Sequence, residues 1–87
     1  MEGLTEGRMV HFVLPDGHNV GEHRPAIVVR VCKNGAEDLH ADGYSNLQVF
    51  TDSVDDGTQY AGGLVWRKSV PYDEAKKPGT WHWIEGA

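Results

Sequence analysis

One cysteine, eight basic residues and the lack of any long apolar run set the first limits on this sequence. Cys32 has no second thiol to pair with, so no intramolecular disulfide staples the fold and a reducing compartment is expected. No stretch approaches the ~20 apolar residues that cross a bilayer as a helix. The opening MEGLTEGR has neither the basic start nor the apolar middle of a signal peptide, which points to the cytoplasm. Thirteen acids outweigh the eight bases and leave a net charge of −5. A non-specific grip on nucleic acid rests on neutralising phosphates, so that class of partner is disfavoured. Signatures that name a reaction are missing too. There is no P-loop, no G-x-G-x-x-G turn and no G-x-S-x-G elbow. No catalytic residues and no cofactor are therefore expected.

What is present fits one small domain. The 87 residues can bury only about 60–65% of the surface they expose when unfolded, so the core is thin. Five short segments carry the β-branched and aromatic residues that suit a pleated, half-buried surface. They run over 8–14 (RMVHFVL), 26–32 (AIVVRVC), 46–52 (NLQVFTD), 63–70 (GLVWRKSV) and 80–84 (TWHWI). Turn-forming clusters flank them, among them Pro15-Asp16-Gly17, Lys33-Asn34-Gly35 and Asp55-Asp56-Gly57. Alternation places Val10, Phe12, Ile27, Val29, Val31, Leu47, Val49, Leu64 and Trp66 in the core, with the faces of Trp81 and Trp83 left open. Helix signals are sparse. The stretch 71–77 (PYDEAKK) has an early proline, then acids, then lysines, and predicts one short helical turn before the last strand. The expected fold is mainly β, a small five-stranded, strongly bent sheet or an SH3-like barrel, because closure would remove edges that so small a domain cannot cover. An open meander or an OB-like barrel is the alternative. Residues 1–6 read as a flexible tail and 7–87 as a single β domain.

The loop from Pro15 to Arg24 concentrates two histidines, two acids, an asparagine and an arginine between two strands. His18 and His23 stand five apart, and Cys32 is the one further candidate ligand weighed with them. Zinc needs three or four convergent donors, so no metal site is expected and solvated loop polarity is the simpler account. The acidic run at 52–57 (DSVDDG) fails as a calcium loop. Val54 occupies its third position and Gly63 its twelfth, where oxygen ligands belong.

Aromatic and cationic residues point more directly to binding. Indoles stack on nucleobases, and guanidinium forks hold phosphate or carboxylate through two hydrogen bonds. Arg24, Arg30, Trp66, Arg67, Trp81, Trp83 and His23 are the residues expected to line a recess for a small anionic, nucleotide-like ligand. The plainer alternative is that three tryptophans supply core volume or subunit contacts.

The phrases HRPAIVVRV (23–31), NLQVFTD (46–52) and PGTWHW (78–83) together cover about a quarter of the chain. In these it resembles short proteins of unassigned activity encoded by tailed phages and prophages. The longer insertion KNGAEDLHADGYS (33–45) departs from the compact versions of that group. The resemblance implies a host bacterial cytoplasm and a non-catalytic accessory role. The expected function is a binding protein, an anti-defence sponge that sequesters a nucleotide-derived immune signal as a homo-oligomer. The alternative is a protein-interaction module, either a host-protein inhibitor or a virion accessory factor.

Overall fold

The computed structural model describes residues 1–32 and 43–85. The expected turn at Lys33-Asn34-Gly35 and most of the 33–45 insertion lie outside the described residues. Five strands form one antiparallel sheet: β1 (Met9–Val13), β2 (His23–Val31), β3 (Ser45–Phe50), β4 (Leu64–Val70) and β5 (Trp81–His82). Their order is β4-β3-β2-β1-β5. Consecutive strands are neighbours from β1 to β4, and the chain then returns to the far edge to lay β5 beside β1. The sheet is not closed. Its two edges are β4 and the two-residue β5, which do not pair with each other, so the expected barrel gives way to the open arrangement. No helix among the described residues is long and apolar enough to cross a membrane.

Core positions separate into those that obey simple alternation and those that a bulge displaces. Val10, Phe12, Val31, Leu47 and Val49 are buried as their periodicity predicts. Ile27 is only half-buried, while Val29, Leu64 and Trp66 are 48%, 53% and 52% exposed. The cause in β2 is a shift in its register with β3 between Val28 and Arg30. An extra residue at that point reverses which face the following side chains meet. Ala26 and Val28, ahead of the shift, face the core, and Val31, three positions beyond Val28, joins them only because of it, while Val29 points out. In β4, the face opposite Leu64 and Trp66 turns inward, and Val65 packs against the core.

Two other expectations are revised. The stretch from Pro71 to Lys77 is a turn and not a helix. Asp73 Oδ1 accepts a hydrogen bond from the Ala75 amide at 2.9 Å, and the Asp73 carbonyl accepts one from the Lys76 amide at 3.0 Å. An aspartate that binds the amide two residues on competes with helical pairing, and Lys76 at φ +64° is not helical. The helical content among the described residues is two 3-10 turns, Ser53–Asp55 and Thr58–Tyr60. The N-terminal stretch read as a tail contributes Leu4, which is buried in the core, and Gly7 donates its amide to the Val28 carbonyl at 2.7 Å.

The loop from Pro15 to Arg24 is tied down through Asp56. This carboxylate is fully buried and accepts from Arg24 Nε (2.9 Å), Arg24 Nη2 (2.6 Å), Asn19 Nδ2 (2.8 Å) and the Asp52 amide (2.7 Å). Gly17 allows the close approach. Its φ is +89°, and a Cβ there would stand 2.2 Å from the Asp56 carbonyl oxygen. The whole loop is thereby fixed against the two 3-10 turns.

Candidate metal centre

Strand pairing assembles a cluster that no local spacing announces. His11 on β1 lies directly opposite His82 on β5. His23 opens β2 opposite Val13, two residues along β1 from His11. Paired residues share a face, and so do positions two apart on one strand, so three imidazoles project from one side of β2, β1 and β5. Ring centroids are 6.0 Å apart for His11 and His23, 5.7 Å for His11 and His82, and 4.5 Å for His23 and His82.

Glu85 completes the group, three residues after His82. Its Oε1 lies 3.2 Å from His11 Nδ1 and 2.9 Å from His23 Nδ1, and its Oε2 lies 2.6 Å from His82 Nε2. The potential ligand atoms of all four residues fall within 4.8 Å of one another. Neighbouring donors on a tetrahedral zinc ion sit roughly 3.3 Å apart, given zinc–nitrogen bonds of about 2.0 Å. The widest pair would have to close by about 1.5 Å to reach that size.

Burial is unequal across the cluster. The imidazole of His82 is almost wholly enclosed. Its Nδ1 has no hydrogen-bond partner among the described residues, and its Nε2 faces Glu85 Oε2 at 2.6 Å. Burial pulls the His82 pKa below its ordinary value, which favours the neutral ring. Hydrogen bonding from His23 is the main cause holding the Glu85 carboxyl down at about 2. A neutral His82 ring beside an ionised Glu85 carboxylate is the pair of protonation states that metal ligation requires of these two groups. Lys76 Nζ lies 3.5 Å from Glu85 Oε2 at the rim.

A recess of about 310 Å³ adjoins the cluster, lined by Tyr72, Glu74, Lys76, Trp83 and Ile84 together with His82 and Glu85. Of the residues expected from the sequence to bind a ligand, His23 stands in the cluster and Trp83 on the recess wall. The others are elsewhere. Arg24 is committed to Asp56 and to Glu22, whose Oε1 is 3.0 Å away. Arg30 is exposed on β2 across from Asn46, near the end of the strand opposite His23. Trp66 lies on the outer face of β4 across from Gln48, and Arg67 turns to the other face and reaches Tyr60 Oη at 3.4 Å. Trp81 is fully buried, donates from Nε1 to the Gly43 carbonyl at 2.7 Å, and packs edge-on against Trp83 at 5.0 Å. The rings and guanidinium groups therefore do not converge on one recess.

The three residues that sequence reasoning misses are His11, His82 and Glu85. Their signal is faint. His11 alternates with the apolar Val10 and Phe12, and the run WHWIE places a histidine and a glutamate three apart. Neither pattern points to the other until β5 pairs with β1. Comparison with protein-family models, with curated proteins and with solved structures finds no match for this chain.

Proposed function

We propose that this protein is a small, non-catalytic binding module organised around one divalent transition-metal ion, held by His11, His23, His82 and Glu85. The observation that carries this reading is the convergence of three imidazoles and a carboxylate, the buried His82 ring among them, whose ligand atoms all lie within 4.8 Å of one another. Three nitrogens and one oxygen suit a borderline ion, and zinc best among the common ones.

Calorimetric titration of metal-stripped protein with Zn²⁺ tests the centre. One ion should bind per chain. With free zinc at 100 times its dissociation constant the fold should gain about 2.7 kcal/mol, several degrees of melting temperature in a domain this small. His23→Ala, at a partly exposed ring, should lose stoichiometric uptake and keep the far-ultraviolet circular dichroism of the parent. Failure of the unmodified protein to take up zinc stoichiometrically rejects the centre. A phage accessory role, with sequestration as its action, is supported by the resemblance in the phrases at 23–31, 46–52 and 78–83.

A second reading, a module that associates with its own copies, rests on the outer face of the sheet. Met9, Ile27, Gln48 and Trp66 form a row across β1 to β4, and Phe50 sits opposite Leu64 beside it. Trp66, Leu64 and Phe50 are 52%, 53% and 39% exposed. Contiguous apolar surface of this kind marks an interaction site. A second copy is the fitting occupant because β4 is an open edge, so two β4 strands can pair about a twofold axis and join their apolar rows. Light scattering at micromolar concentration should report twice 9.6 kDa, and Trp66→Lys should return the monomer. A monomeric parent protein overturns this reading.

A further inference from the structure

We propose that the recess beside the metal centre binds a small organic anion, whose carboxylate or phosphate oxygen takes an additional position on the metal ion. The inference rests on the metal-binding reading and adds to it a ligand class and a place for the ligand. Two of the four ligand residues, His82 and Glu85, also line the recess, so an ion they hold borders its interior. The other walls divide into two kinds. Tyr72, Trp83 and Ile84 offer an apolar and aromatic surface, while Lys76 and Glu74 stand at the polar side.

Charge decides which ligand fits. The three imidazoles are neutral when they ligate, so a divalent ion with Glu85 as its one anionic ligand keeps a net positive charge. Lys76 adds to this. Its side chain is 41% exposed, and its ammonium is paired with Glu85 Oε2 at 3.5 Å. Once the metal draws on that carboxylate, Lys76 loses much of its counter-charge while remaining at the rim. Glu74 offsets only part of the excess. An oxyanion satisfies the ion and the ammonium together, and a flat organic body lies against Trp83 and Tyr72. At about 310 Å³ the recess is near the lower end of the size range for small-molecule sites.

Cobalt provides the readout, because Co²⁺ enters zinc sites and its visible absorption reports coordination number. The full-length protein is loaded with Co²⁺ and titrated separately with inorganic phosphate, benzoate and the uncharged benzyl alcohol. Both anions should change the visible spectrum in a saturable way, benzoate at lower concentration than phosphate, and benzyl alcohol should leave it unaltered. Lys76→Ala should still take up one Co²⁺ per chain and bind both anions about tenfold more weakly. Stoichiometric Co²⁺ uptake with a spectrum that neither anion alters overturns the recess proposal and leaves the metal centre standing. Unchanged anion affinity in Lys76→Ala also overturns it, because the charge pairing is then irrelevant. Failure to take up Co²⁺ at all overturns both readings.

Discussion

At the scale of single residues, Asp56 is the most heavily used side chain described. It binds a guanidinium, an amide side chain and a backbone amide at once, and it does so with no exposure to solvent. The Arg24 guanidinium is the main cause that holds its carboxyl well below the usual carboxylate range. Asp56→Ala removes a fully buried carboxylate and leaves the partly buried Arg24 with only Glu22 and the His23 carbonyl, a change that costs about 3 kcal/mol. Urea denaturation of the variant should give an unfolding free energy lowered by about that amount. The pH dependence follows in sign. A depressed folded-state pKa gives stability that is complete above the unfolded value near 3.8 and drains away as the pH falls below it. The urea midpoint of the parent protein should therefore fall as the pH is lowered from about 4 toward about 2. In Asp56→Asn that drop should be shallower. A variant with the same pH slope as the parent removes Asp56 as its source. None of this network was visible in the run DSVDDG, where the acids look alike until the fold buries one of them.

At the scale of elements, the bulge in β2 explains both a success and a failure of sequence reasoning. The existence of all five strands was legible from β-branched content and turn residues, and the described elements fall inside the expected ranges apart from the ends of β2 and β3. The facing of β2 was not legible. A run of four apolar residues, Ile27 to Val29 with Ala26 before them, offers no polar member to mark the outer side. Only the register shift beside β3 lets Val28 and Val31 share the core while Val29 stays outside. Truncation separates the two positions. Val28→Ala should cost about 2 kcal/mol, as removal of buried methyl groups does, whereas Val29→Ala should stay within about 0.5 kcal/mol. Chemical denaturation of the pair measures both, and equal costs would contradict the bulged register. The turn at 73–77 teaches a related lesson. Its order of proline, acids and lysines reads as a helix, but Asp73 spends its carboxylate on the Ala75 amide instead.

At the scale of the whole molecule, chain order matters more than composition. The returning segment after β4 crosses to the opposite edge and brings position 82 against position 11. The candidate centre depends on that one long-range pairing, and no local periodicity encodes it. This is why His23 alone of its members was singled out from the sequence. Strand β5 consists of two residues and is held to β1 by two residue pairs. A metal ion ligated by His11, His23, His82 and Glu85 would join three strands there. Amide hydrogen exchange should then slow at Trp81 and His82 when zinc is added, with little change at β4, which contributes no ligand. Uniform slowing across the sheet would instead point to global stabilisation without a local clasp.

The neighbours of His82 in the chain have an optical consequence. Trp81 and Trp83 bracket it, one enclosed and the other on the wall of the recess, whereas Trp66 sits on β4 at the distant edge. Two natural fluorophores thus stand within one residue of the candidate ligand. Cu²⁺, an efficient quencher of nearby indole emission, should dim them on binding, and closed-shell Zn²⁺ should not. Replacing the remote emitter, Trp66→Phe, should lower the total light and deepen the fraction extinguished by copper. The protein would in that way carry its own gauge of occupancy, readable without a label.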